Sequence, residues 1–147
     1  MQGKTHLAAG LLIGATMGGN SLSIISACVL GSILPDIDIS TSKLGQRAKP
    51  VSWCFQHLLG HRQMLHSPLI YAVLFSLARL TSPALQQLLQ PLFFGIASHL
   101  FLDMLNPTGI PLLWPIPKRF HIASLHSGGW ADHILMVLLI ALLIFLR

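Results

Sequence analysis

His99-x-x-x-Asp103 places an imidazole and a carboxylate one helical turn apart on the same face, because residues four apart on a helix are neighbours. That spacing suits two ligands of one metal ion. Asp36-x-Asp38 follows Leu34-Pro35, and alternate residues of an extended segment share a side. His61-Arg62, His66-Ser67 and Asp132-His133 add further imidazole, guanidinium and carboxylate groups. The chain has no Glu, and each of its four carboxylate side chains, Asp36, Asp38, Asp103 and Asp132, stands within four residues of another Asp or a His. Taken singly, these patterns are also what helix ends and solvated loops look like. Their placement relative to one another decides between the readings.

The rest of the composition makes these few polar groups conspicuous. Of 147 residues, 53% are hydrophobic and 9% charged, and the mean hydropathy is +0.70. A soluble domain carries about 25% charged residues, so this chain cannot build a water-facing surface of the ordinary kind. That excludes a soluble globular enzyme, a disordered tail and a free nucleic-acid binder. The net charge of +5 comes from Lys and Arg spread over loops between apolar runs, which is the pattern of membrane topology. Cys28 and Cys54 form no CxxC and indicate neither a disulfide framework nor a thiolate metal site.

The length suits one domain, 1–147, and the punctuation predicts an all-α architecture: an integral membrane bundle of four to five short helices with polar metal-ligand loops on one face. From Thr5 to Pro35 no residue is Asp, Glu, Lys or Arg, and Gly18-Gly19-Asn20-Ser21 breaks that interval into a helical hairpin, 5–18 and 22–34. A third helix is expected near 67–80, with Ser67 as N-cap and Pro68 at the first helical position. A fourth spans 84–105, with a kink or restart at Pro91, and a fifth 130–146. Between the last two lies a loop, 106–129, rich in proline and oddly apolar. Spanning the hydrocarbon takes about 20 helical residues, so the first three helices make a thin, tilted bundle or dip only part way.

Threading the helices up and down brings the starts of odd helices and the ends of even ones to one face. His6, Asp36, Asp38, His61, His66, His99, Asp103, Asp132 and His133 all fall there. So do Lys4, Lys43, Arg47, Lys49, Arg62, Lys118 and Arg119, against Arg79 and Arg147 opposite, which makes the cluster's side cytoplasmic by the positive-inside rule. Trp53, Trp114 and Trp130 lie on that side as an interfacial belt. Each uncompensated charge near lipid costs about 2.5–3.5 kcal/mol on insertion scales, and a divalent cation would offset that cost. Imidazole and carboxylate without thiolate favour Zn²⁺ or Mn²⁺, and the number of ligands allows two ions.

Leu34-Pro35-Asp36-Ile37-Asp38, Leu44-Gly45-Gln46-Arg47, Gly60-His61-Arg62 with His66-Ser67, Ser98-His99 with Asp103-Met104-Leu105, and Gly109 to Pro115 resemble the YdjM-like family of bacterial inner-membrane proteins. The resemblance runs from His6 to about Phe120. It implies a multi-helix inner-membrane protein described as a metal-dependent hydrolase, with the recurring polar residues falling on His6, Asp36, Asp38, His61, Arg62, His66, His99 and Asp103. This chain departs from the pattern at Ile39, where the family has His, and at Gln63 and Leu65; Asp132 stands where many members carry Glu.

The expectation is therefore a multi-pass membrane hydrolase acting on a lipid or lipid-linked ester or phosphoester, with the site facing the cytoplasm and no nucleic-acid partner. His6, Asp36, Asp38, His61, His66, His99 and Asp103 are its metal ligands; Arg62 binds an anionic group, Asp132 serves as an outer ligand-orienting group or general base, and the apolar loop 106–117 guides an acyl chain. The alternatives are a metal or proton transporter and a catalytically silent scaffold tied together by the ion.

Overall fold

The computed structural model describes residues 1–38 and 64–146. Its helices are α1 (Gly3–Gly18), α2 (Leu22–Ile33), α3 (Pro68–Thr81), α4 (Pro83–Met104) and α5 (Trp130–Phe145), with a 3₁₀ turn at Leu34–Asp38 directly after α2. The hairpin between α1 and α2 turns at Gly19, whose φ of 55° is the left-handed region that glycine enters without strain. α4 runs unbroken through Pro91, with Ser82 accepting the Leu85 amide at its N-terminus.

α4 is the central post. It packs against α1, α2 and α3, while α5 packs mainly on α1. Where α2 meets α4, small residues let the backbones approach: a β-carbon at Gly31 would collide with the Leu92 carbonyl, and one at Gly95 with the Cys28 carbonyl. Cys28 and Ser32 are fully buried in the same seam.

The 106–129 segment uses part of its apolar character in packing. β1 (Ile110–Pro111) pairs antiparallel with β2 (Arg119–Phe120), a short ladder that an all-helical reading missed. Ile110 is fully buried against Tyr71, Ile96 and Leu100, so the loop plugs the core between α3 and α4. Ser67 stands at the N-cap of α3 with Pro68 next, as expected, but its hydroxyl makes no cap bond: it donates to the Leu112 carbonyl at 3.1 Å and accepts the Trp114 amide at 3.3 Å. Ile122 and Leu125 donate their amides to the carbonyls of Met104 and Leu105, covering the C-terminal end of α4.

The exterior is apolar. Leu80, Leu88, Trp130 and Phe145 are each more than 70% exposed, with leucines, valines and phenylalanines around them on α3, α4 and α5. Among the described residues, no helix is both long and apolar enough to cross a membrane. α1, α2, α3 and α5 have 12 to 16 residues, about 18–24 Å, against a hydrocarbon thickness of about 30 Å. α4 has 22 residues but carries three glutamines and the His99 and Asp103 side chains.

Candidate metal centre

Four elements deliver the site. His6 comes from the first turns of α1, Asp36 from the 3₁₀ turn, His66 from the segment entering α3, and His99 with Asp103 from the last turns of α4. His6 and His99 are about 1% and 0% exposed, and their rings stack with centroids 3.9 Å apart. Asp103 lies among them: its Oδ1 is 3.3 Å from His6 Nε2, and its Oδ2 is 3.5 Å from His99 Nε2 and 3.6 Å from His66 Nε2. Asp36 Oδ1 stands 3.9 Å from His99 Nε2. The backbone nitrogen of Met1 also reaches Asp103 Oδ1, at 2.8 Å.

The imidazole-to-carboxylate distances exceed those of good N–H···O bonds, about 2.7–3.2 Å. Ligand atoms held at about 2.1 Å around one tetrahedral ion stand about 3.4 Å from one another, close to the 3.3–3.6 Å between Asp103 and the three imidazoles. Two groups of three donors, each with its ligand atoms within 4.8 Å of one another, could close on an ion: His6, His99 and Asp103, and Asp36, His66 and His99. His99 belongs to both.

The donor set fits a divalent ion in a second respect. His99 Nδ1–H donates to the Ser32 carbonyl at 2.7 Å, which fixes the tautomer and leaves Nε2 as the lone-pair nitrogen facing the cluster. Nε2 of His99 and Nδ1 of His6 are buried with no hydrogen-bond partner among the described residues. A stranded buried polar atom costs about 1–3 kcal/mol; His6 faces Asp103 through Nε2, so of these two it is His99 Nε2 that a ligand among the carboxylates would satisfy. Ser32 acts here through its backbone carbonyl, which no residue type signals in the sequence.

The structure thus gathers His6, Asp36, His66, His99 and Asp103. His61 and Arg62 lie outside the described residues, as does the side chain of Asp38. Asp132 stands at the same end of the bundle, beside Gln2 and Thr5 at the start of α1, but in neither donor group. Asp132 is 1% exposed, with Oδ1 accepting from the Thr5 hydroxyl at 2.7 Å and Oδ2 from the amides of Gln2 and Gly128 at 3.0 and 2.8 Å. Those donors make it the staple between the starts of α1 and α5 and oppose a role as general base, because both oxygens are already engaged. His133 is exposed and donates to its own helix at Gly129. His121 and His126 are exposed, in keeping with loop histidines.

Taken together, a helical bundle with an apolar exterior and a buried His and Asp cluster at one end defines a membrane-associated protein with a candidate metal centre. The model of one family, described as YdjM inner membrane protein, matches residues 1–147, and the chain belongs to that family. The inner membrane protein YdjM of Escherichia coli (strain K12) is 38% identical over 111 residues, covering 73% of this chain and 57% of the relative. The Shigella flexneri protein of the same name matches equally. The uncharacterized protein YvsG of Bacillus subtilis (strain 168) is 27% identical over 141 residues, 92% of this chain and 88% of that one. The chain spans 57% of the length of the first two relatives. No solved structure matches it. Family membership places the protein with those of the bacterial inner membrane.

Proposed function

We propose that this protein is a membrane-bound, metal-dependent hydrolase whose site lies at the membrane–cytoplasm interface and acts on a lipid or lipid-linked ester or phosphoester. The observation that carries the reading is the pair of three-donor groups sharing His99 at the polar end of an apolar bundle. His6, His99 and Asp103 would hold one ion; because the single lone pair of His99 Nε2 serves one ion at a time, Asp36 and His66 would complete the shell of that ion or hold a second without His99. The chemistry a divalent cation supplies there is Lewis-acid polarisation of a phosphoryl or acyl oxygen and activation of water. The absence of thiolate among these donors favours Zn²⁺ or Mn²⁺.

The chain's own groups divide the remaining work. Ser32 holds His99 in the ligand tautomer, and burial of the three imidazoles keeps bulk water from competing for the ion. Arg62, adjacent in sequence to His61, would pair with an anionic group of the substrate. Transport is the weaker reading because the donors stand at helix ends, whereas transporters place their sites near the bilayer midplane.

Metal content by elemental mass spectrometry tests the proposal on detergent-purified protein, wild type beside His99→Ala. Roughly one or two equivalents of a transition metal in the wild type, lost in the variant, together with turnover of a phosphoester or lipid ester, is the expected result. No metal after reconstitution with Zn²⁺ and Mn²⁺ overturns it. Stoichiometric metal without turnover of any ester class leaves the silent scaffold.

A further inference from the structure

The mechanism uses only the polar end of the α3 and α4 pair. His66 precedes Pro68 at the start of α3, and Asp103 precedes Met104 at the end of α4, so both helices lead away from the cluster side by side. Between them runs a groove of about 340 Å³, lined by Pro68, Tyr71 and Phe75 on one wall and Met104, Leu100 and Phe93 on the other. These residues follow successive turns of each helix. From Met104 to Phe93 the groove extends about 16 Å at 1.5 Å per residue.

The lining settles the chemistry of an occupant. Its one hydroxyl, on Tyr71, donates to the Leu65 carbonyl at 2.8 Å, so the walls present carbon. A peptide laid there would strand its amides and carbonyls, whereas a hydrocarbon chain would lose nothing. The volume lies at the lower end of the range for ligand clefts, about 300–1,000 Å³, which suits one chain better than a bulky ring system. At the end away from the cluster, Phe75 and Phe93 line the groove and meet edge to face with centroids 4.9 Å apart.

We infer that the α3/α4 groove holds one acyl chain of a lipid ester, presents the ester end to the His and Asp cluster, and sets the depth of the chain by the Phe75 and Phe93 pair. The inference rests on the hydrolase reading for the identity of the head group, and on the groove alone for the chain. A second apolar groove of about 380 Å³, between α1, α4 and α5 and lined by Leu12, Phe94 and Leu139, supplies an internal comparison.

The test is photo-crosslinking in phosphatidylcholine nanodiscs, with phosphatidic acid carrying a diazirine either beside the ester or at the chain terminus. The ester-proximal probe is expected to label Pro68, Tyr71 and Met104, and the terminal probe Phe75 and Phe93. Excess unlabelled phosphatidic acid should suppress both, and Ala72→Trp, an exposed lining position, should abolish both while labelling of Leu139 persists. Phe93→Ala should carry the terminal label one turn further, toward Leu89. Labelling that ignores probe depth, competitor and Ala72→Trp identifies ordinary lipid contact and overturns the inference.

The two readings fail separately. If the wild type takes up no metal and turns over no ester while the depth order persists, the hydrolase reading falls and the groove stands. If a short water-soluble ester is turned over in an Asp103-dependent way while the groove shows no depth order, the groove assignment falls and the hydrolase remains.

Discussion

Asp103 and Asp132 are carboxylates at helix ends of the same chain, and their neighbours give them different work. Asp103 faces three imidazole nitrogens at 3.3–3.6 Å, whereas Asp132 is saturated by one hydroxyl and two amides. Asp103→Ala is therefore expected to lose bound metal and, with it, turnover, which elemental analysis and an ester assay read together. Asp132→Ala strands the buried Thr5 hydroxyl and two amides and should lower unfolding free energy by about 2–4 kcal/mol while keeping its metal. Denaturant titration in mixed micelles checks this, and unchanged stability with lost turnover would return Asp132 to the catalytic machinery. The sequence made the His99 and Asp103 pair legible through its spacing of four. It could not reveal Ser32, because the contact is a backbone carbonyl, nor distinguish Asp132 from a ligand, because its partners are amides that every residue has.

At the scale of elements, the cluster depends on how closely α2 approaches α4. Asp36 follows α2 and His99 rides on α4, and the Ser32 carbonyl that orients His99 belongs to α2. Gly31→Ala or Gly95→Ala would drive a methyl into a backbone carbonyl across the seam. Overpacking of this kind costs about 1–3 kcal/mol, and displacing an orienting partner typically weakens metal affinity about 10–100-fold. Zn²⁺ titration of the two variants beside Gly3→Ala, whose new methyl meets open space, checks the effect; equal affinity in all three would show that the seam does not position the site. Helix limits were readable to within two residues from charge-free runs, Gly18-Gly19 and the prolines. The Ser67 contacts and the burial of Ile110 were not, because a hydroxyl before Pro68 and an apolar residue in a loop acquire their partners only when the 106–129 segment folds back on α3 and α4.

For the molecule as a whole, the question is which way the bundle sits. The convergence of His6, Asp36, His66, His99 and Asp103 followed from alternating helix directions, which turns and helix count alone can supply. Depth was not legible, since helices of about 18–24 Å are shorter than the hydrocarbon and charge patterning specifies a side but no tilt. The described chain keeps the charge asymmetry: exposed Lys4, Lys118 and Arg119 border the ligand end, while Arg79 lies in the last turn of α3 at the other. Basic loops stay cytoplasmic, so the cluster end should face the cytoplasm. With Cys54 replaced by Ser and Cys28 buried, single cysteines at His126 and Asn20 report the two ends, both positions being exposed. A membrane-impermeant maleimide should label Asn20→Cys in intact spheroplasts and His126→Cys only in inverted vesicles. The reverse pattern would put the site outside the cytoplasm, and access to Asn20→Cys only after detergent would mean that the short helices end within the bilayer.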